Sequence, residues 1–544
     1  MKKSDLKKLL AISAVAAAAA TATAIIITKR RKDKALLEEH TQTLAHTHAY
    51  ITGGGLSAFA SALYLIRDCG LNPANTHIFT NGSYNTGNPE TGYICRRGKI
   101  LSEKTSLNFF DLLNEVSSLD IPDLSVCDEI LNIYRANPSS RHITFIDEDK
   151  DVIDISKIKI DKPHKKTLTE LLNYDRKKLQ ATPVYEVFSN EFFESHFWKL
   201  ICAAYNFSAD SSAYEFVNAI KHMEDTLAGT LPSDFDRNEE IIEPLKSHLK
   251  KLGADVRESA VVTDIDFEGG KAEAVHFTDN GIRKTFYLNE HDICIMPTDE
   301  MAQCESFGSF NESAPKLFTE PYQLWEKLSK KNSVFKNPSL FFDDYDSNMS
   351  EEFTITLSNR LLPELIDKVT CGALGNDGVI VLDNSKWKMT ICAVPSTHFK
   401  NQSEDIAIIW GTASCFGAEG ERSGKPMTDC SGAEILYELV SCFNLDEAWD
   451  DIRETVINVI PCHRRYDKSY LTPVASKLEI IPTGIENFAV SGDFADYDNG
   501  TVFSEEYSVS TARTASYKLM KTKRKVYHAK GSSRRSVKKT LKNF

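Results

Sequence analysis

The 544 residues contain no C-x-x-C pair: the twelve cysteines stand singly from Cys69 to Cys462. That excludes a zinc ribbon or finger and a disulfide framework, and points to reduced, mostly packed thiols and no metal centre. Acidic residues are missing from one stretch, Lys518 to Phe544, which carries eleven Lys and Arg. The remainder holds 53 basic against 77 acidic residues, a balance of −24. Such a body repels nucleic acid, so a nucleic-acid partner is not expected. Long apolar runs are scarce too. Leu9 to Thr28 is the uncharged stretch that stands out, flanked by lysines 2, 3, 7 and 8 and by Lys29-Arg30-Arg31-Lys32. Its twenty residues match the thickness of a bilayer core. The alanines offer sites for signal cleavage, but the most apolar residues, Ile25 to Ile27, abut the basic cluster, as in an uncleaved anchor. A single-pass membrane protein with a cytoplasmic body is the expectation, its basic tail meeting anionic lipid.

What the chain does have is His48-Ala49-Tyr50-Ile51-Thr52-Gly53-Gly54-Gly55-Leu56-Ser57-Ala58. A short apolar strand runs into glycines, and Leu56, Phe59, Ala60, Leu63 and Tyr64 then form one helical stripe. In Gly53-x-Gly55-x-x-Ala58, Gly53 suits the tight turn, Gly55 the approach of a diphosphate, and Ala58 close packing of helix on strand. The diphosphate belongs on the N–H groups at the helix start. His77 to Thr80 reads as the second strand, but Thr80-Asn81 stand where a ribose-binding carboxylate is expected. Histidines 40, 46 and 48 lack ligand spacing. Asp343 to Asn348 has Met349 where a calcium loop needs glycine, so it reads as a solvated acidic loop.

Residues 105–240 look mainly helical, and Phe192-Phe193-Glu194-Ser195-His196-Phe197-Trp198 suits either a core or the wall of an apolar cavity. A helix (Ile241 to Leu252), Gly253 and three strands restore an α/β pattern, and Phe488 to Phe494 is a strand entering a turn at Gly492-Asp493.

Several segments occur in an order that resembles one family. They are Gly53-Gly54-Gly55 with Leu65-Ile66-Arg67-Asp68, Gly87-Asn88-Pro89 with Gly92-Tyr93, and Phe192 to Trp198. His398-Phe399-Lys400-Asn401-Gln402, Lys425 to Gly432, and Thr501 to Val509 follow. The chain is similar over roughly residues 45–517 to the oleate hydratases, or myosin-cross-reactive antigens, which bind FAD and add water across a fatty-acid double bond. The resemblance implies an α/β fold, α+β overall, with a Rossmann-like FAD domain built from discontinuous segments. The expected divisions are an anchor (1–34), a linker (35–48), the FAD domain (49–104, 239–300 and 480–517), a helical lid (105–238), a substrate domain (301–479) and the tail (518–544). Flavin contacts are expected at Gly53, Gly55, Ser57, Ala58, Thr80, Gly492, Asp493, Ser504 and Ser508. The implied partners are an unsaturated fatty acid, a membrane and a second copy of the chain.

The departures concern chemistry. The family's catalytic glutamate aligns with Ile100, in Arg96-Arg97-Gly98-Lys99-Ile100, and its catalytic tyrosine with Ala219. Hydration needs an acid for the alkene and a base for the water, which isoleucine and alanine cannot be. The catalytic residues are therefore unassigned. Three readings stand open: a fatty-acid hydratase with displaced groups (Glu103 among them), a non-catalytic FAD- and fatty-acid-binding relative, and a flavin oxidoreductase.

Overall fold

The computed structural model describes residues 44–528 except 83, 137–141, 224–228, 300–303, 317–319, 345–347, 376–377 and 499. The fold is mixed α/β. Its organising unit is a five-stranded parallel sheet with Ala49–Ile51 at the centre. Thr76–Phe79 and then Asp255–Arg257 lie on one side of it; Ile293–Pro297 and then Phe488–Ser491 lie on the other. The chain thus leaves the central strand in both directions, which opens a crevice at the carboxyl ends of these strands. Every residue of Ala49–Ile51 and Ile293–Pro297 is buried, as expected of parallel strands covered on both faces.

The helix Gly55–Arg67 is buried from Gly55 through Leu65, well beyond the apolar stripe read from its sequence. The cause is a second cover. The closing helix Glu505–Leu519 lies against it through small residues, and Ser516 Oγ reaches the Ser61 carbonyl at 3.3 Å. An antiparallel meander, Ala260–Glu268, Lys271–Asp279 and Ile282–Tyr287, follows Asp255–Arg257.

The second unit is an eight-stranded sheet, antiparallel except where Ile143–Ile146 runs parallel beside Val379–Leu382. Ile143–Ile146 and Val152–Asp154 fall inside the stretch read as mainly helical. The run Ile-Thr-Phe-Ile is β-branched and aromatic, and that local preference wins. One face of the sheet packs on helices including His196–Tyr205 and Ala213–His222, in a core with Phe192, Phe197, Phe216 and Trp410. The other packs on Leu361–Thr370 and Gly432–Cys442, with Phe353, Leu362 and Leu436.

The expectation of a single-pass membrane protein is corrected. No helix among the described residues is long and apolar enough to cross a membrane. The Leu9 to Thr28 stretch on which it rested, like the linker histidine His40, lies outside the described residues. Nor does the described part of the basic tail stand free. Arg524 Nη1 donates to Asp68 at 3.0 Å, and Asn108 pairs with the Tyr527 backbone at 2.8 and 3.1 Å. The acidic body attracts these cations to itself, an outcome that the sum of charges allows.

Candidate active site

The glycine turn is shaped by its neighbours. A Cβ at Gly53 would lie 3.1 Å from Pro297 Cγ, so the adjoining strand approaches closely there. Gly55 has φ +83°, in the left-handed region that suits glycine. Gly54, the residue before the helix, offers no side-chain cap. A cleft of about 670 Å³ opens over the turn, and Gly53, Gly55 and Thr80 line it together with Arg96, Arg237 and Lys246. Thr80 Oγ1 accepts from the Gly82 N–H at 3.2 Å. Ser57 and Ala58 are fully buried behind the turn.

The remaining expected contacts gather at the end of the outer strand Phe488–Ser491. Gly492 has φ +93°, and its N–H donates to Thr511 Oγ1 at 2.8 Å. The Asp493 carboxylate accepts from Lys99 Nζ at 2.7 and 2.8 Å and from Ser508 Oγ at 3.2 Å. Ser504 caps the closing helix, accepting from the Glu506 N–H at 3.1 Å. The two groups of residues are linked across the sheet, where Ser491 Oγ lies 3.2 Å from Ser57 Oγ.

Two charged side chains here were not singled out from sequence. Asp299, just past the strand Ile293–Pro297, accepts from the Ser57 N–H at 2.5 Å. Burial and, next, the neighbouring Asp493 raise its pKa. Arg237 is held by Glu505 at 2.6 and 3.2 Å. The signal for Asp299 was positional: an acid directly after a buried strand at the crevice where the strand order reverses.

Positions 100 and 219 are both apolar and closed in. Ile100 is pinned by its N–H to the Phe503 carbonyl at 2.6 Å and pairs with Ser504, one of the expected contacts. Ile100 and Ala219 belong to one core cluster, Ala219 with no exposed surface. One turn before Ala219, Glu215 is buried and accepts from Lys477 Nζ at 3.2 Å; Lys477 also reaches the Asp493 carbonyl at 3.3 Å. Glu103 is exposed and 3.4 Å from Arg135.

Beside this wall lies a buried ionic network. Arg97 lies over Trp410, 5.2 Å from the ring centre, and 3.7 Å from Glu352. Glu352 accepts from Arg464 at 3.1 Å and from Trp410 Nε1 at 3.2 Å, and Arg464 pairs with Asp467 at 2.9 Å. Burial pushes the Glu352 carboxyl up and the Arg97 guanidinium down. A third acidic group, Asp120, Glu129 and Glu240, converges within 4.8 Å, and Lys400 supplies its counter-charge at 2.6 Å from Asp120 and 3.1 Å from Glu240.

With this geometry in place, comparison decides the family. The MCRA family matches residues 46–517. The chain belongs to the MCRA family. It is 26% identical over 506 residues to an oleate hydratase of Streptococcus pyogenes serotype M49 (strain NZ131), covering 88% of this chain and 85% of that one. It is 22% identical over 532 residues to a linoleate hydratase of Lactiplantibacillus plantarum, covering 87% and 94%. Among solved structures, an oxidoreductase from Methanosarcina mazei aligns with a TM-score of 0.48 at 15% identity, over 85% of this chain and 99% of that one.

The residues present around the turn fit FAD, the cofactor expected from the sequence. The turn puts no side-chain cap of its own on the helix start, the cleft has the size of a ligand site, and Arg96, Arg237 and Lys246 line it, each paired with a carboxylate. Its diphosphate would be held by the N–H groups after Gly54, and Thr80 would meet the ribose with a hydroxyl instead of a carboxylate.

Proposed function

We propose that this chain is a FAD-dependent fatty-acid hydratase, which adds water to a cis double bond of an unsaturated fatty acid to give a hydroxy fatty acid. The observation that carries the reading is the likeness, along most of both chains, to relatives named oleate hydratase and linoleate hydratase. Hydration moves H and OH from water onto the two alkene carbons and exchanges no electrons, so bound flavin would serve as a polar aromatic wall of the cavity. Gly53, Gly55 and Thr80 hold the nucleotide end; Asp493, Ser504 and Ser508 hold the flavin end. The apolar lid around Phe192, Phe216 and Trp410 shelters the acyl chain from water. Glu215 and Lys477, a buried carboxylate and ammonium beside Asp493, are the groups proposed to exchange protons in place of residues 100 and 219.

One observation favours a second reading, a FAD- and fatty-acid-binding relative without catalysis: both family positions are filled by apolar side chains packed in one core. The experiment is incubation of the FAD-loaded protein with oleate and with linoleate, reading the mass gain of one water. Product from either acid is expected, and it disappears in Glu215→Gln while FAD stays bound. No product from FAD-loaded protein selects the second reading, and flavin reduction without product selects an oxidoreductase.

A further inference from the structure

The anion site at the start of the helix Gly55–Arg67 already holds an anion of the chain's own. Asp299 Oδ2 takes the Ser57 N–H at 2.5 Å, one of the donors a diphosphate would use. The position is built for that carboxylate. A Cβ at Gly492 would lie 2.3 Å from Asp299 Oδ1, so the glycine at φ +93° makes room for it. The preceding residue is fixed as well: Thr298 donates through its N–H and hydroxyl to the Ser491 carbonyl, at 2.9 and 2.7 Å, and accepts from the Phe494 N–H at 3.2 Å. Asp299 is 4% exposed, and its second oxygen, Oδ1, has no hydrogen-bond partner among the described residues. A buried acceptor left open in this way calls for a proton or a ligand.

The charged groups facing Asp299 come from three other elements. Asp493 follows the strand Phe488–Ser491 and is itself held by Lys99, from the loop that carries Ile100. Arg237 precedes the helix Glu243–Leu252 and is held by Glu505 at the start of the closing helix. Lys99 and Arg237 thus each have a carboxylate partner of their own.

We propose that Asp299 stands in for the cofactor's diphosphate and competes with it, so that FAD binds when this carboxylate takes up a proton or turns away. The proposal rests on FAD as the cofactor. A diphosphate brought to the same N–H groups meets a carboxylate in a poorly solvated place, where like charges repel strongly. Protonation removes the repulsion and turns the carboxyl into a donor. Burial and Asp493 both favour the protonated form, against the pull of Lys99, Arg237 and the Ser57 N–H. FAD affinity therefore falls as pH rises.

The test is FAD titration of the whole protein by flavin fluorescence and equilibrium dialysis, beside Asp299→Asn and Asp299→Ser, with thermal unfolding to verify that each variant is folded. As pH is raised through the range in which the protein stays folded, wild-type affinity is expected to drop roughly tenfold or more. Both variants are expected to show little pH dependence and, at the upper end, to bind about tenfold more tightly than wild type. Equal affinity and equal slope in all three proteins overturns the proposal. Weaker binding by both folded variants also overturns it, because Asp299 would then be a support for the cofactor. Absence of FAD binding by all three at every pH overturns the cofactor assignment, and the competition falls with it.

Discussion

The glycine turn, which lines an open cleft, and the wall formed by Ile100 and Ala219, which is closed into a core, relate to the chain's sequence in opposite ways. At the turn the functional groups are backbone: N–H groups after Gly54, a left-handed Gly55, a close strand at Pro297. Side chains there can change while a backbone site persists: Thr80 lines the cleft with a hydroxyl, and Asp299 meets the Ser57 N–H. At the wall the function would be side chain alone, and two substitutions are enough to make it apolar. Backbone sites survive divergence; sites made of one acid and one phenol do not.

The comparison breaks first at Gly55. Leucine there faces both the φ of +83° and the space a diphosphate needs, so Gly55→Leu is expected to lose FAD completely in equilibrium dialysis while remaining folded. Retention of FAD would show that the backbone is not the binding element. The buried network beside the wall comes next. Arg464→Met leaves Glu352 and Asp467 buried without their shared cation, and urea unfolding should show a loss of about 3–5 kcal/mol. An unchanged midpoint would mean that the network is hydrated.

Ala219→Tyr sharpens the comparison at the wall itself. Alanine 219 has no exposed surface, and a phenol forced into its core should cost about 1–3 kcal/mol in the same assay. A tolerated tyrosine that raises hydration would show that the cavity still has the room its relatives use. The smallest effect concerns pH. Burial pushes the Glu351 carboxyl up to about 7, against the pull of His463. A raised folded-state pKa stabilises the protonated form, so this stability is present below the ordinary carboxylate range and is lost as pH rises towards 7. Glu351→Gln is expected to remove a slope worth on the order of 1–2 kcal/mol over that window. Glu240, raised to about 7 by burial, contributes a similar slope and remains in that variant.

What could be read from sequence follows the same division. The strand, turn and helix from Ala49 to Arg67 were legible because periodicity and glycine placement are local. The full burial of that helix was not, since its outer cover arrives more than four hundred residues later, at Glu505–Leu519. Ile143–Ile146 carries a local strand preference that its helical surroundings masked, and its partner Val379–Leu382 lies far along the chain. Asp299 carried no motif: what places it against the Ser57 N–H is the parallel pairing of Ala49–Ile51 with Ile293–Pro297. The charges at 464, 467 and 352 are unremarkable one by one and meet through sheet register, with Glu352 opposite Cys462.

The central claim is that the glycine turn holds the cofactor by its backbone. A crystal structure of the protein grown with FAD tests it most directly. Diphosphate density is expected against the N–H groups from Gly55 to Ser57, with the Asp299 carboxylate turned away or within hydrogen-bonding distance of a phosphate oxygen. FAD bound elsewhere, with the Asp299 to Ser57 hydrogen bond intact, would contradict it.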